Sequence, residues 1–171
     1  MSPEIMKSDI KTNIGISDDS RKSVVEILNS RLSDEYTLYT KTRKYHWNVT
    51  GKRFFQLHEF FEEQYEQLDE MIDEIAERAR QLGGKSFGTM EEFVRTSSVE
   101  EDPGEYPDAQ TMISNLLEDH EAIIQTLRKN ADDCDEKYDD MGTNDFLLEA
   151  VQKHEKMAWM LRAHLEGKGS T

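Results

Sequence analysis

Apolar residues recur every three to four positions through most of the chain, and the period-two alternation of a half-buried strand is absent. Val24, Val25, Ile27, Leu28, Leu32, Tyr36, Leu38 and Tyr39 fall at helical spacing, behind N-cap chemistry at Asp18, Asp19 and Ser20. This first helix is expected to end near Trp47, before the sequence NVTG. A second reads from residue 54 to 82 and is stopped by Gly83 and Gly84. A third spans about 108–138, and MGTND opens a fourth that runs to about 166. The long connection 84–107 carries a short helical stretch, TMEEFVRT, followed by an acidic Pro/Gly segment. Prolines occur only at Pro3, Pro103 and Pro107, so the predicted helices are free of interior breakers. The pattern predicts an all-α four-helix bundle with one long crossover, residues 18–167, between a loose arm (1–17) and a short tail (168–171).

Composition narrows what such a bundle would meet. The 171 residues include 36% apolar side chains, enough for one core without disulfide or structural metal. A formal net charge of −15 repels nucleic acid and anionic membrane and attracts cations. The single cysteine, Cys134, excludes an intramolecular disulfide and a thiolate zinc site, and implies a reducing compartment. No signal-peptide h-region and no run of about eighteen apolar residues is present, so a soluble, cytoplasmic protein is expected.

Candidate chemistry gathers on the second helix. At about 100° per residue, His58, Glu62, Asp73 and Glu77 share an arc of roughly 100° bordering the stripe Leu57, Phe61, Tyr65, Leu68, Ile72, Ile75 and Ala79. Glu66 and Asp69 fall inside that arc too, and a solvated acidic face would look the same. Spacing separates the readings. His58 and Glu62 form an i,i+4 pair, as do Asp73 and Glu77, but about 22 Å of helix lies between the pairs. First-row metals hold their ligands near 2 Å, so one chain cannot bring both pairs to one ion. A two-fold axis can. If two copies cross antiparallel about a point between residues 67 and 68, His58 faces the partner's Glu77 and Glu62 faces the partner's Asp73. The hairpin at NVTG also returns His46 alongside His58, with Trp47 either against that site or packed at the hairpin end. Two imidazoles and three carboxylates suit iron, manganese or zinc better than copper(I) or a cluster.

The stretch HWNVTGKRFFQLHEFFEEQYEQLDEMIDEIAERARQLGG resembles the Dps family, the miniferritins or DNA-binding proteins from starved cells, and the likeness extends over about residues 20–166. The resemblance implies a ferritin-like four-helix subunit with a short extra helix in the second-to-third connection, assembled as a hollow dodecamer. It implies oxidation of Fe(II), with hydrogen peroxide in preference to oxygen, and storage of ferric mineral that limits Fenton chemistry. Carried over by position, the ferroxidase ligands match His46, His58, Glu62, Asp73 and Glu77, with Glu62 standing where many members have Asp, and Trp47 matches a Trp beside that site. Nucleation acids resemble Glu59, Glu62 and Glu63; pore acids resemble Asp145, with Asp133 and Glu149 as further candidates. Zinc or manganese would compete with iron.

His120, His154 and His164 match no family role and are expected to be surface or partly buried structural histidines, and Cys134 an incidental thiol. DNA binding, which the family name suggests, finds little support in the charges. Residues 1–22 carry Lys7, Lys11, Arg21 and Lys22 against Glu4, Asp9, Asp18 and Asp19. Twelve chains at −15 each would carry about −180, which opposes a polyanion. Three classes therefore stand at this point: a ferroxidase cage, a nucleoid-binding protein and a non-catalytic helical scaffold.

Overall fold

The computed structural model describes residues 11–166 and shows five helices: α1 Asp18–Asn48, α2 Phe54–Gln81, α3 Met90–Thr96, α4 Ala109–Glu136 and α5 Met141–Glu166. Most of the expected arm, and the tail, lie outside the described residues. No strand occurs among the described residues. The architecture is that of the expected bundle: antiparallel hairpins α1/α2 and α4/α5, joined by the crossover that carries α3.

The start of α1 differs from expectation by one residue. Ser17 is the N-cap, its Oγ accepting the Ser20 N–H at 3.1 Å, while Asp18 and Asp19 occupy the first turn, where their charge complements the helix dipole. Arg21 is buried and bridges Asp18 (2.7 Å) to the carbonyl of Leu82 (2.7 Å), so the beginning of α1 closes the end of α2. At Gly84 the returning chain runs directly over Val25, where an added Cβ would stand 2.5 Å from both Val25 methyls.

Long polar side chains strap the crossover onto α1. Asp34 Oδ1 accepts the Ser98 N–H at 2.6 Å and both the Ser97 and Ser98 hydroxyls. Lys41 donates to the Glu100 carbonyl (3.0 Å) and to Asp119 (2.7 Å), and the Tyr45 hydroxyl donates to Asp102 (2.7 Å). At the far end Asp140 caps α5 through Thr143, and Arg78 of α2 reaches both residues. α3 is a seven-residue turn closed by a Thr89/Glu92 capping box.

The apolar core runs through all five helices, from Val24 and Leu28 through Phe61, Leu68 and Ile75 to Leu116, Leu127, Leu147 and Leu161. Two residues expected at or near the surface are inside it. His120 and His154 are both 0% exposed. His154 Nε2–H donates to the buried Glu35 carboxylate at 2.8 Å, and the two Nδ1 atoms share a hydrogen bond of 2.8 Å. This polar chain links α1, α5 and α4 through the middle of the bundle, and no periodicity argument reveals it. His164 is half-buried beside Phe60 (ring centroids 4.6 Å). Cys134 is fully buried, and burial pushes its thiol up to about 12, leaving it protonated and inert at neutral pH.

Two outcomes test this packing. Gly84→Ala drives a methyl into Val25 and is expected to cost about 1–3 kcal/mol, read as a lower urea midpoint. Burial, then the neighbouring His154, holds His120 well below its ordinary value of 6.5, so below that pH the unfolded chain binds a proton that the folded chain refuses. Stability is therefore expected to be full above about pH 6.5 and to fall on acidification, by up to about 1.4 kcal/mol per pH unit for this group. His120→Phe should flatten that slope in urea melts repeated at pH 5.5, 6.5 and 7.5, at matched protein concentration.

Candidate metal centre

The end of α1 and the start of α2 are joined by a turn in which Gly51 adopts φ +108°, a left-handed-side conformation that favours glycine. This tight return places His46 against His58. The rings stack with centroids 3.8 Å apart at 19°. His46 Nδ1 lies 2.7 Å from the His58 carbonyl, and His58 Nδ1 lies 2.9 Å from the His46 carbonyl. A carbonyl oxygen only accepts, so in both rings Nδ1 carries the proton and donates. Nε2 is thus the nitrogen each imidazole keeps for another partner. Backbone acceptors fixing one ring nitrogen in this way are the usual support of a metal-ligating histidine.

His46 is 6% exposed and His58 half-buried, with Phe54 stacked on the outer face of His58 at 5.2 Å. One turn along α2, Glu62 is half-buried and accepts from the Tyr65 hydroxyl at 3.0 Å. Burial, then that bond and charge, raise the Tyr65 phenol above its ordinary value, so it remains a donor. Tyr65 also meets His46 edge-on at 5.2 Å.

Trp47 is 64% exposed, so within one chain it does not pack in the core. Its ring instead lies under the Arg43 guanidinium, 5.2 Å from the centroid. Asp73 and Glu77 are exposed on the distal half of α2, far from the histidines, as the helical arithmetic requires. Among the described residues no three His, Cys, Asp or Glu side chains are gathered to hold a metal within one chain. The structure thus brings together His46 and His58, with Glu62 one turn further along α2, and leaves Asp73 and Glu77 at the other end of that helix.

The remaining candidates stand apart from this group. Glu59 and Glu63 are exposed on α2. Asp145 and Glu149 are exposed on α5, and Asp133 on α4 pairs with Lys137 at 2.6 Å. The residue that sequence reasoning treated only as core and that the geometry draws to the site is Tyr65. Its i,i+3 spacing from Glu62 is the signal that was available.

Comparison with known proteins yields one consistent pattern. Residues 25–168 match the model of the ferritin-like domain. The chain is 46% identical over 158 residues to an uncharacterised low-temperature-induced protein of Nostoc sp., covering 92% of this chain and 88% of that one. It is 42% identical over 145 residues to DNA protection during starvation protein 2 of Bacillus anthracis, covering 84% and 97%. Its fold superimposes with a TM-score of 0.84, at 28% identity and with 93% and 99% coverage, on a Dps protein from Vibrio cholerae described as a member of a broad superfamily of ferritin-like diiron-carboxylate proteins.

Proposed function

Because the chain belongs to the Dps family of ferritin-like proteins, we propose that it oxidises Fe(II) and stores the ferric product, removing the reactants of Fenton chemistry. The observation that carries this reading is the pair of backbone-anchored imidazoles, each with Nε2 unengaged, beside the half-buried carboxylate of Glu62. His46, His58 and Glu62 supply one half of the ferroxidase centre, and the partner's Asp73 and Glu77 supply the other. The mixed nitrogen and oxygen set fits Fe(II), with zinc or manganese as competitors.

In this reading Fe(II) is a substrate held between two chains. Two Fe(II) ions each lose one electron to hydrogen peroxide, whose O–O bond breaks to give two hydroxide ions; hydrolysis of the ferric product to oxyhydroxide then releases protons. Peroxide is the preferred oxidant and oxygen the slower one. The chain's own residues contribute position and charge. The carbonyl bonds hold both imidazoles before metal arrives, which removes the entropy cost of ordering them, and the carboxylates offset the cationic charge that accumulates on oxidation. The product collects inside a hollow dodecamer, with Glu59, Glu62 and Glu63 as nucleating acids and Asp145, assisted by Asp133 and Glu149, along the route of entry. No helix among the described residues is long and apolar enough to cross a membrane, and the site of action is the cytoplasm in this reading.

Two measurements check it. Fe(II) mixed with peroxide should be oxidised rapidly by the wild type and at least 100-fold more slowly by the double variant His46→Ala/His58→Ala, a loss typical of removing metal ligands and their supports; equal rates would refute the site. The nucleoid-binding alternative, to which the B. anthracis relative's name points, predicts retarded DNA in a gel shift at moderate salt. With a formal charge of −15 per chain, no retardation is expected without added divalent metal.

A further inference from the structure

Glu62 is one methylene longer than an aspartate, and a free glutamate would lose more side-chain entropy than an aspartate on being fixed against a metal. The structure shows what restrains it. The Tyr65 hydroxyl donates to Glu62 Oε1 at 3.0 Å from one turn further along α2. The Tyr65 ring is in turn fixed by α1 on several sides: edge-on to His46 at 5.2 Å, edge-on to Tyr39 at 6.0 Å, and 5.0 Å beneath the guanidinium of Arg43. Arg43 is itself held by its bond to the Tyr39 hydroxyl at 2.5 Å. His46 and Glu62, on different helices, are therefore tied to one another through a single phenol.

We propose that Tyr65 is a positioning residue of the metal centre: its hydroxyl holds Oε1 of Glu62 and its ring registers that carboxylate against His46, so that the carboxylate is ordered before Fe(II) arrives. This rests on the site reading above. The phenol fixes the direction of the Glu62 carboxylate, much as a backbone carbonyl fixes each histidine, and lets the longer acid serve where a shorter one would need no brace. Supports of this kind typically contribute 10–100-fold to metal affinity.

The test uses Co(II), which binds without redox chemistry, followed by its visible absorbance on the full-length assembled protein, alongside initial rates of Fe(II) oxidation at saturating peroxide. Tyr65→Phe keeps the ring and removes the hydroxyl. It is expected to weaken Co(II) binding about 10-fold and to raise the KM for Fe(II) by a similar factor, with kcat changed less than twofold and the thermal midpoint unmoved. In Glu62→Asp the shortened carboxylate loses its reach to the hydroxyl and needs no brace, so adding Tyr65→Phe to it should change the Co(II) affinity by less than twofold. A purely packing role predicts the same factor for Tyr65→Phe in both backgrounds, and that result overturns the proposal, as does wild-type Co(II) affinity in Tyr65→Phe. His46→Ala/His58→Ala separates the two levels. Undiminished Co(II) binding there refutes the site itself, whereas lost binding there with wild-type behaviour of Tyr65→Phe refutes only the role of Tyr65.

Discussion

The two hydrogen bonds that His46 and His58 exchange with each other's backbone carbonyls are the constraint on which the candidate centre depends. Each bond joins a side chain on one helix to the main chain of the other, so the hairpin α1/α2 cannot shift in register without breaking both. The same pair decides the chemistry, because a ring that donates through Nδ1 has only Nε2 left to offer. Fold and site are thus fixed by one local arrangement, and the turn at Gly51 is what permits it.

Around that anchor the polar side chains divide into two kinds. Along the crossover, Asp34, Lys41, Tyr45 and Asp102 hold the connection against α1, Asp34 and Lys41 satisfying backbone groups of the loop directly. Inside, Glu35, His154 and His120 form a chain with no exposed surface, which ties three helices together where an all-apolar core would allow them to slide. Burying such groups is costly unless they satisfy one another, and burial holds the His120 imidazole below its ordinary value.

The distribution of charge follows a parallel logic. Some cations of the described chain are committed to interior or strap contacts: Arg21, Lys41, Lys44 and Arg78. Much of the exposed surface of α2, by contrast, is acidic, from Glu59 and Glu63 through Glu66 and Asp69 to Asp73 and Glu77. A surface so arranged draws cations toward the very helix that carries the histidines.

Helix number, order and approximate ends were legible in the sequence because they depend on local periodicity and on punctuation by glycine and proline, and each boundary fell within about two residues of its observed place, the ordinary uncertainty of helix ends. The nearness of His46 to His58 was legible too, since a short hairpin leaves only one way back, and the separation of Asp73 and Glu77 followed from helical rise alone. Tertiary structure decided what depends on contacts between residues far apart along the chain. His120 and His154 lie thirty-four positions apart, on separate helices, and nothing in their neighbours announces that they meet each other and Glu35 in the core. The proton positions on His46 and His58 depend on a close approach to specific carbonyls, and the brace on Glu62 on the rings of α1 being in place around Tyr65. Sequence sets which faces are apolar and how far residues stand along one helix; only packing between helices sets which polar atoms pair, because that pairing is fixed at the ångström scale by backbones that the pattern does not resolve.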